Sequence, residues 1–138
     1  MVKMSVEQLA QLAVQARRRA YAPYSGFLVG AALLARSGQV YMGANIENAA
    51  FSPTNCAERT AFFTAVSQGE RGFDAIAVAG WGEGEGGFAH PCGVCCQVMM
   101  EFCEPESFQI IVTDGAAIRT MLLKELLPFG FGPENLSG

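Results

Sequence analysis

Apolar residues near the start of the chain recur every three or four positions, which is the spacing of one face of an α-helix. These residues are Leu9, Leu12, Ala13, Ala16 and Ala20. Ser5 and Gln8 have the spacing of a capping box, so the predicted helix begins directly after Ser5. It ends before Pro23, because proline disfavours helical conformation in the residue that precedes it.

Short apolar runs without a helical face follow, and they predict strands. The run Phe27–Ala35 is followed by a turn sequence at residues 36–39 and then by Val40–Ala44, which together predict a β-hairpin. Phe73–Gly80 and Phe108–Thr113 predict two further strands of the buried type.

Three later segments show helical periodicity: about Cys56 to Gln68, Cys92–Cys103 and Met121–Leu127. The glycine-rich stretch from Trp81 to Pro91 predicts a loop, and a solvated surface loop is favoured over an active-site lid. The order α-β-β-α-β-α-β-α is typical of an α/β layered domain. In that arrangement the hairpin would add an antiparallel edge to an otherwise parallel sheet.

Length and composition limit the classes of protein that remain. The chain of 138 residues is 51% hydrophobic and 16% charged, which predicts one folded domain over residues 1–138. Its net charge of −4 argues against a nucleic-acid partner, and the run Arg17–Arg19 is expected to be a solvated face. No apolar run is long enough for a membrane span, and no signal-peptide pattern is present, so we expect a cytoplasmic protein.

The cysteines change this picture. There are five, an odd number, and four of them fall within residues 92–103. Clustered thiols in a reducing compartment indicate a metal site or catalysis. Burial as a small apolar side chain explains Cys103 well and the pair Cys92 and Cys95 poorly.

Cys56 and Glu58 lie near the start of one predicted helix, and Cys92 and Cys95 lie near the start of another. Helix N-termini favour thiolates, and three thiolates leave a tetrahedral Zn²⁺ one open position for water. Glu58 is close enough in sequence to Cys56 to reach that water. A redox dithiol and a closed four-cysteine site are the alternatives. The pattern matches the zinc-deaminase signature in its all-cysteine form, which favours a catalytic zinc.

Over essentially its whole length the chain closely resembles the small homotetrameric cytidine deaminases. The matching stretches are Ala22-Pro23-Tyr24-Ser25 with Phe27, Val29-Gly30-Ala31-Ala32, Gly43, Asn45-Ile46-Glu47-Asn48-Ala49, Asn55-Cys56-Ala57-Glu58-Arg59-Thr60-Ala61, Pro91-Cys92-Gly93-Val94-Cys95 and Glu125-Leu126-Leu127-Pro128. The resemblance implies a three-layer α-β-α sandwich with a five-stranded mixed sheet, and zinc on Cys56, Cys92 and Cys95. It also implies hydrolytic deamination of cytidine or deoxycytidine in pyrimidine salvage, with Glu58 moving the protons.

The resemblance further implies a nucleoside site. Asn45 and Glu47 would bind the ribose hydroxyls, Phe27 would pack against the base, and the backbone N–H of Ala57 would meet the 2-carbonyl of the base. From the residues alone, a turn residue is the less favoured alternative for Asn45, and a core side chain is an equal alternative for Phe27.

Other positions are implied to lie at subunit contacts or beside the zinc. A neighbouring subunit would place its Phe131 over the pyrimidine, and the stretch from Ala49 to Phe51 would cross an interface of the homotetramer. Arg59 is expected to hydrogen-bond to the thiolates, whose formal charge with zinc sums to −1. Two positions depart from the family, in which Cys96 is commonly Arg and Phe51 is commonly Tyr.

Several functions remain open on the sequence. The departures at Phe51 and Cys96 keep alive the hydrolysis of N4-substituted cytidines and the deamination of a cytosine-containing antibiotic. A polynucleotide deaminase would need a basic, aromatic-lined channel, which a −4 chain with one Trp disfavours. A zinc-stabilised binding module without turnover is a further alternative, although Glu58 beside an open metal position argues against it.

Overall fold

The computed structural model describes residues 4–82, 84 and 86–137. In chain order the elements are α1 (Val6–Arg17), β1 (Phe27–Ala35), β2 (Val40–Ala44), α2 (Ala57–Ser67), β3 (Phe73–Gly82), α3 (Gly93–Phe102), β4 (Gln109–Thr113), β5 (Ile118–Leu122), α4 (Leu123–Leu126) and a 3₁₀ turn at Pro133–Asn135. The predicted capping box is confirmed: the Gln8 N–H donates to Ser5 Oγ at 3.1 Å, and the Ser5 N–H donates to Gln8 Oε1 at 2.9 Å.

The five strands form one mixed sheet in the order β2-β1-β3-β4-β5. The predicted hairpin of β1 and β2 is confirmed, but the expectation of an otherwise parallel sheet is wrong. Among the strands that the structure describes, only β3 and β4 pair in parallel, whereas β1 pairs antiparallel with both β2 and β3. The reason is that the crossover through α2 passes over β1, so β3 joins the free edge of β1 rather than that of β2.

The last predicted helix, Met121–Leu127, is confirmed in its middle part, but its first two residues belong to a strand. Residues Ile118–Leu122 form β5, which pairs antiparallel with β4, and the helix is confined to Leu123–Leu126. A short apolar run cannot be assigned to helix or strand by periodicity alone, and here pairing with β4 decides the outcome.

Helices cover both faces of the sheet, which confirms the three-layer sandwich. Leu9, Ala10 and Ala13 of α1 pack on one face, and α2 and α3 pack on the other. Two glycines let helices touch strand backbone directly. A Cβ on Gly30 would lie 2.2 Å from the Ala13 carbonyl oxygen, and a Cβ on Gly43 would lie 2.5 Å from the carbonyl oxygen of Ala57 in α2.

Arg17 corrects the expectation of a solvated basic face. Its Nε donates to the carbonyl of Leu28 at 3.0 Å, and its Nη2 donates to the carbonyl of Trp81 at 2.7 Å. Its guanidinium also lies 4.2 Å from the centre of the Trp81 ring. Arg17 therefore ties the end of α1 to β1 and β3, whereas Arg18 and Arg19 are exposed as expected.

Among the described residues, no helix has the length and apolar character needed to cross a membrane.

Candidate metal centre and active site

Three cysteine side chains meet where α2 and α3 begin. Cys56 is the N-cap of α2, Cys92 is the N-cap of α3, and Cys95 lies in the first turn of α3. Their sulfur atoms all lie within 4.8 Å of one another. The backbone N–H of Cys95 lies 3.5 Å from the Cys92 sulfur as a helix cap, which orients that sulfur toward the other two.

The spacing of these sulfurs fits zinc. Two thiolates bound to tetrahedral Zn²⁺ at about 2.3 Å are about 3.8 Å apart, and the Sγ atoms of Cys56 and Cys92 are 3.9 Å apart. Three thiolates are soft ligands that suit the borderline-soft Zn²⁺ ion, and they leave one of its four positions open. The predicted ligand set is thus brought together by the fold.

Charge around the sulfurs favours deprotonation of one of them. Hydrogen bonding from Cys95 and then from Arg59 lowers the pKa of Cys56 to about 5, against the opposing effect of burial. The same pairing, together with burial, raises the pKa of Cys95. Arg59 Nη2 donates to the Cys56 sulfur at 3.2 Å, as expected. Its Nε is buried without a hydrogen-bond partner among the described residues, so the guanidinium retains a donor inside the site.

Glu58 lies in the first turn of α2 and is only 4% exposed. Burial raises the pKa of Glu58 to about 7, and the Cys56 thiolate adds to this effect by charge repulsion. A carboxyl group with a pKa near neutrality can both accept and donate a proton at physiological pH, which suits general acid–base catalysis.

The chain that leads into Cys92 is held by side chains. Within the described part, residues 86–91 donate and accept no backbone-to-backbone hydrogen bonds. Instead, the Arg119 guanidinium lies 4.0 Å from the centre of the Phe88 ring. Ala89 lies so close over Gly80 that a Cβ there would be 2.9 Å from its side chain.

Cys96 is 2% exposed and packs in the core beneath the thiol cluster. Its S–H lies 3.8 Å from the carbonyl of Pro91, the residue before Cys92. Among the described residues its sulfur is not one of the three that converge.

A second group of polar side chains lies where β1 begins and β2 ends. The side-chain amide of Asn45 donates to the carbonyl of Phe27 at 2.8 Å and accepts from the Val29 N–H at 2.9 Å. Glu47 accepts from the N–H groups of Tyr24 and Ser25 at 3.0 and 3.1 Å, and from the Ser25 hydroxyl. Ser25 belongs to one of the stretches that resemble the family, but sequence reasoning assigned no role to it.

Glu47 faces an open cavity of about 430 Å³, which is lined by Tyr24, Ser25, Glu47, Phe51 and Thr54. Phe51 has a positive φ of 63° and packs edge-to-face against Tyr24, with ring centres 6.3 Å apart. Several aromatic side chains here and at the C-terminus are exposed, with Phe51 at 72%, Phe129 at 100% and Phe131 at 55%. Phe131 of the same chain is not among the residues that line the cavity of Glu47.

An α-β-α sandwich that gathers three thiols at two helix N-termini, with a buried carboxyl group beside them, defines a zinc-dependent hydrolytic deaminase as the class of protein. Comparison with known proteins agrees. Residues 3–111 match the model of the cytidine and deoxycytidylate deaminase zinc-binding region, and the chain belongs to this family.

Relatives match nearly the full length. A cytidine deaminase of Sporosarcina psychrophila is 49% identical, over 97% of this chain and 96% of the relative. One of Halalkalibacterium halodurans is 45% identical, over 97% and 99%. The crystal structure of cytidine deaminase from Burkholderia pseudomallei superposes with a TM-score of 0.85 at 44% identity, covering 93% of this chain and 100% of that one. These comparisons agree with zinc as the metal of the Cys56, Cys92 and Cys95 site.

Proposed function

We propose that the protein hydrolyses the 4-amino group of free cytidine and deoxycytidine, releasing ammonia and forming uridine or deoxyuridine. The observation that carries this proposal is the buried Glu58 beside three converging thiols. The relatives named above support the substrate class, and they do not favour N4-substituted cytidines or an antibiotic. We also propose that the protein acts in pyrimidine salvage and that it does so in the cytoplasm.

Zinc would supply the Lewis acidity that makes water a nucleophile near neutral pH. Glu58 would take the proton of that water, pass it to N3 of the ring, and later protonate the leaving amine. Its raised pKa suits both tasks, because neither form is strongly disfavoured at neutral pH. The burial that raises this pKa also keeps bulk water from competing for the proton.

The remaining site residues would bind and orient the nucleoside. Asn45 keeps one amide N–H beyond its two backbone contacts, and with Glu47 it would bind the ribose hydroxyls. Phe27 is 40% exposed at the start of β1 and would pack against the base. The N–H of Ala57 belongs to the first turn of α2, where helical N–H groups lack intrahelical acceptors, and it would bind the 2-carbonyl.

Two residues beside the thiols would tune the metal. Arg59 would offset the −1 charge of a zinc with three thiolates through its contact with Cys56. Cys96 would act only through the carbonyl of Pro91, to which it offers a weak S–H donor. Arg59 would therefore be the main positive charge that offsets the negative charge of the thiolates.

Replacing Glu58 with Gln tests the catalytic assignment. We expect zinc content near that of the parent and deamination of cytidine reduced at least about 10²-fold, since the ligands remain and the proton carrier is lost. Loss of absorbance near 280–290 nm would follow the reaction, with CMP and N4-acylcytidine as comparison substrates. Glu101→Gln, at an exposed position on α3, is the control. Activity above a tenth of the parent would show that another group moves the proton.

A homotetramer would complete the site. The exposed Phe129 and Phe131, with the exposed stretch from Ala49 to Phe51, provide apolar surface for subunit contacts. A neighbour's Phe131 would then cover the pyrimidine. Light scattering coupled to gel filtration should give four times the chain mass of 14.7 kDa. A fully active monomer at micromolar concentration would refute this arrangement.

A further inference from the structure

The Ser25 hydroxyl links the backbone of β1 to the Glu47 carboxylate. Ser25 Oγ accepts from the N–H of Phe27 at 3.0 Å, and it hydrogen-bonds to Glu47 Oε2. The other carboxylate oxygen, Oε1, accepts from the N–H groups of Tyr24 and Ser25. Glu47 is therefore held on both oxygens by one short segment.

The direction of the hydroxyl proton follows from its neighbours. The backbone N–H of Phe27 can only donate, so the lone pairs of Ser25 Oγ face it. An ionised carboxylate can only accept, so the Ser25 proton points to Glu47. Hydrogen bonding from the Ser25 hydroxyl is also the largest cause that lowers the pKa of Glu47, which keeps the carboxylate ionised.

Counting acceptor sites shows what this arrangement leaves free. A carboxylate offers about four lone-pair sites. The N–H groups of Tyr24 and Ser25 use both sites of Oε1, and the Ser25 hydroxyl uses one of Oε2. The remaining acceptor site is on Oε2, the oxygen whose orientation Ser25 sets, and Glu47 lines the open cavity.

We propose that Ser25 is a positioning residue that orients the Glu47 carboxylate toward a sugar hydroxyl of the substrate. Ser25 does not itself touch the reacting atoms. The inference rests on the proposed function, in which Glu47 binds the ribose. It predicts that Ser25 matters only for substrates that carry that hydroxyl.

The test compares Ser25→Ala on cytidine and on 2′,3′-dideoxycytidine, which lacks both ring hydroxyls. With cytidine, KM should rise roughly tenfold and kcat should change little. The reason is that a Glu47 carboxylate no longer oriented by Ser25 loses its charge-assisted hydrogen bond to the sugar hydroxyl. With the dideoxy substrate, kcat/KM should stay within about twofold, because the hydroxyl is absent in both enzymes. A loss that acts through Phe27 and the base would instead appear with both substrates.

Three further variants sharpen the result. Ser25→Thr keeps the hydroxyl and should restore most of the affinity, while Ser25→Cys offers a weak S–H donor and should fall between parent and Ser25→Ala. The matched control is Ser37→Ala. Ser37 makes the same kind of bond to the Glu70 carboxylate at 2.6 Å, at the turn of the hairpin, and its loss should leave kcat/KM unchanged for both substrates.

Glu47→Gln separates failure of this inference from failure of the proposed ribose site. If Glu47→Gln weakens only cytidine while Ser25→Ala leaves cytidine unaffected, the positioning role is overturned and the ribose site stands. If Glu47→Gln affects both substrates equally, the ribose assignment itself fails. Equal losses on both substrates for Ser25→Ala alone would also overturn the inference, because they indicate a general structural role.

Discussion

Replacing Gly43 with alanine should lower kcat/KM by displacing α2, the helix that packs against this glycine. The new Cβ would lie 2.5 Å from the carbonyl oxygen of Ala57 and 2.5 Å from the N of Ala61, both backbone atoms of α2. Ordinary van der Waals contact begins at 3.4 Å, so the helix must withdraw by about 0.9 Å. That helix carries Cys56 and Glu58, whereas Cys92 and Cys95 belong to α3 and would stay in place.

Overpacking of this kind destabilises a core by about 1–3 kcal/mol, and a misplacement of about 1 Å can lower a rate about 10²-fold. We therefore expect Gly43→Ala to lower kcat/KM for cytidine at least about tenfold and to release zinc to a chelator faster than the parent. Urea unfolding, metal analysis and steady-state kinetics would measure the three effects.

Gly86→Ala is the control for this substitution. A Cβ at Gly86 would meet nothing within 4 Å, and its backbone does not have a positive φ. We expect its kinetics, zinc release and stability to equal those of the parent. If Gly43→Ala behaves like Gly86→Ala, then close contact between β2 and α2 does not set the position of Cys56 and Glu58.

Two predictions concern stability. Arg17→Gln should lower the free energy of unfolding in urea by about 1–3 kcal/mol, because two partly buried carbonyls lose a charged donor and the Trp81 ring loses its cation. Arg19→Gln, at an exposed site, should stay within about 0.5 kcal/mol of the parent, and equal effects for the two variants would refute the assignment. The folded pKa of Glu58, about 7, lies above its ordinary value of 4.5, so zinc-free protein should lose stability as pH rises through that interval, where the folded state retains the proton more tightly. Zinc-free Glu58→Gln should lack this loss, so its advantage over the parent should grow from near zero below pH 4.5 to about 3 kcal/mol above pH 7; a difference independent of pH would refute it.

Local patterns predicted those parts of the fold that depend on local chemistry. The hairpin of β1 and β2 and the capping box at Ser5 occur as predicted, because turn residues and caps act over a few positions. The direction of β3 beside β1 and the existence of β5 depend on which strands meet in the folded sheet. Sequence periodicity does not contain that information and predicted neither of them, whereas the family resemblance implied a mixed sheet of five strands.

The site divides in the same way. The three thiols and Glu58 could be found because helix N-termini and spacing identify them. The role of Ser25 could not, since its partner Glu47 is distant in sequence and only the fold brings the two side chains together. Nor could the backbone contacts of Asn45, which use part of its hydrogen-bonding capacity on β1.

The approach to Cys92 has a consequence for altering the length of this chain. Phe88 stacks with Arg119, and Ala89 packs against Gly80, so the number of residues from Phe88 to Cys92 sets the position of the Cys92 sulfur. Gly84 and Gly86 precede this segment and have open space around them. Residues inserted beside Gly86 would enter open space, whereas a single residue inserted after Ala89 would move the Cys92 ligand. Tags or reporter peptides therefore belong before Phe88.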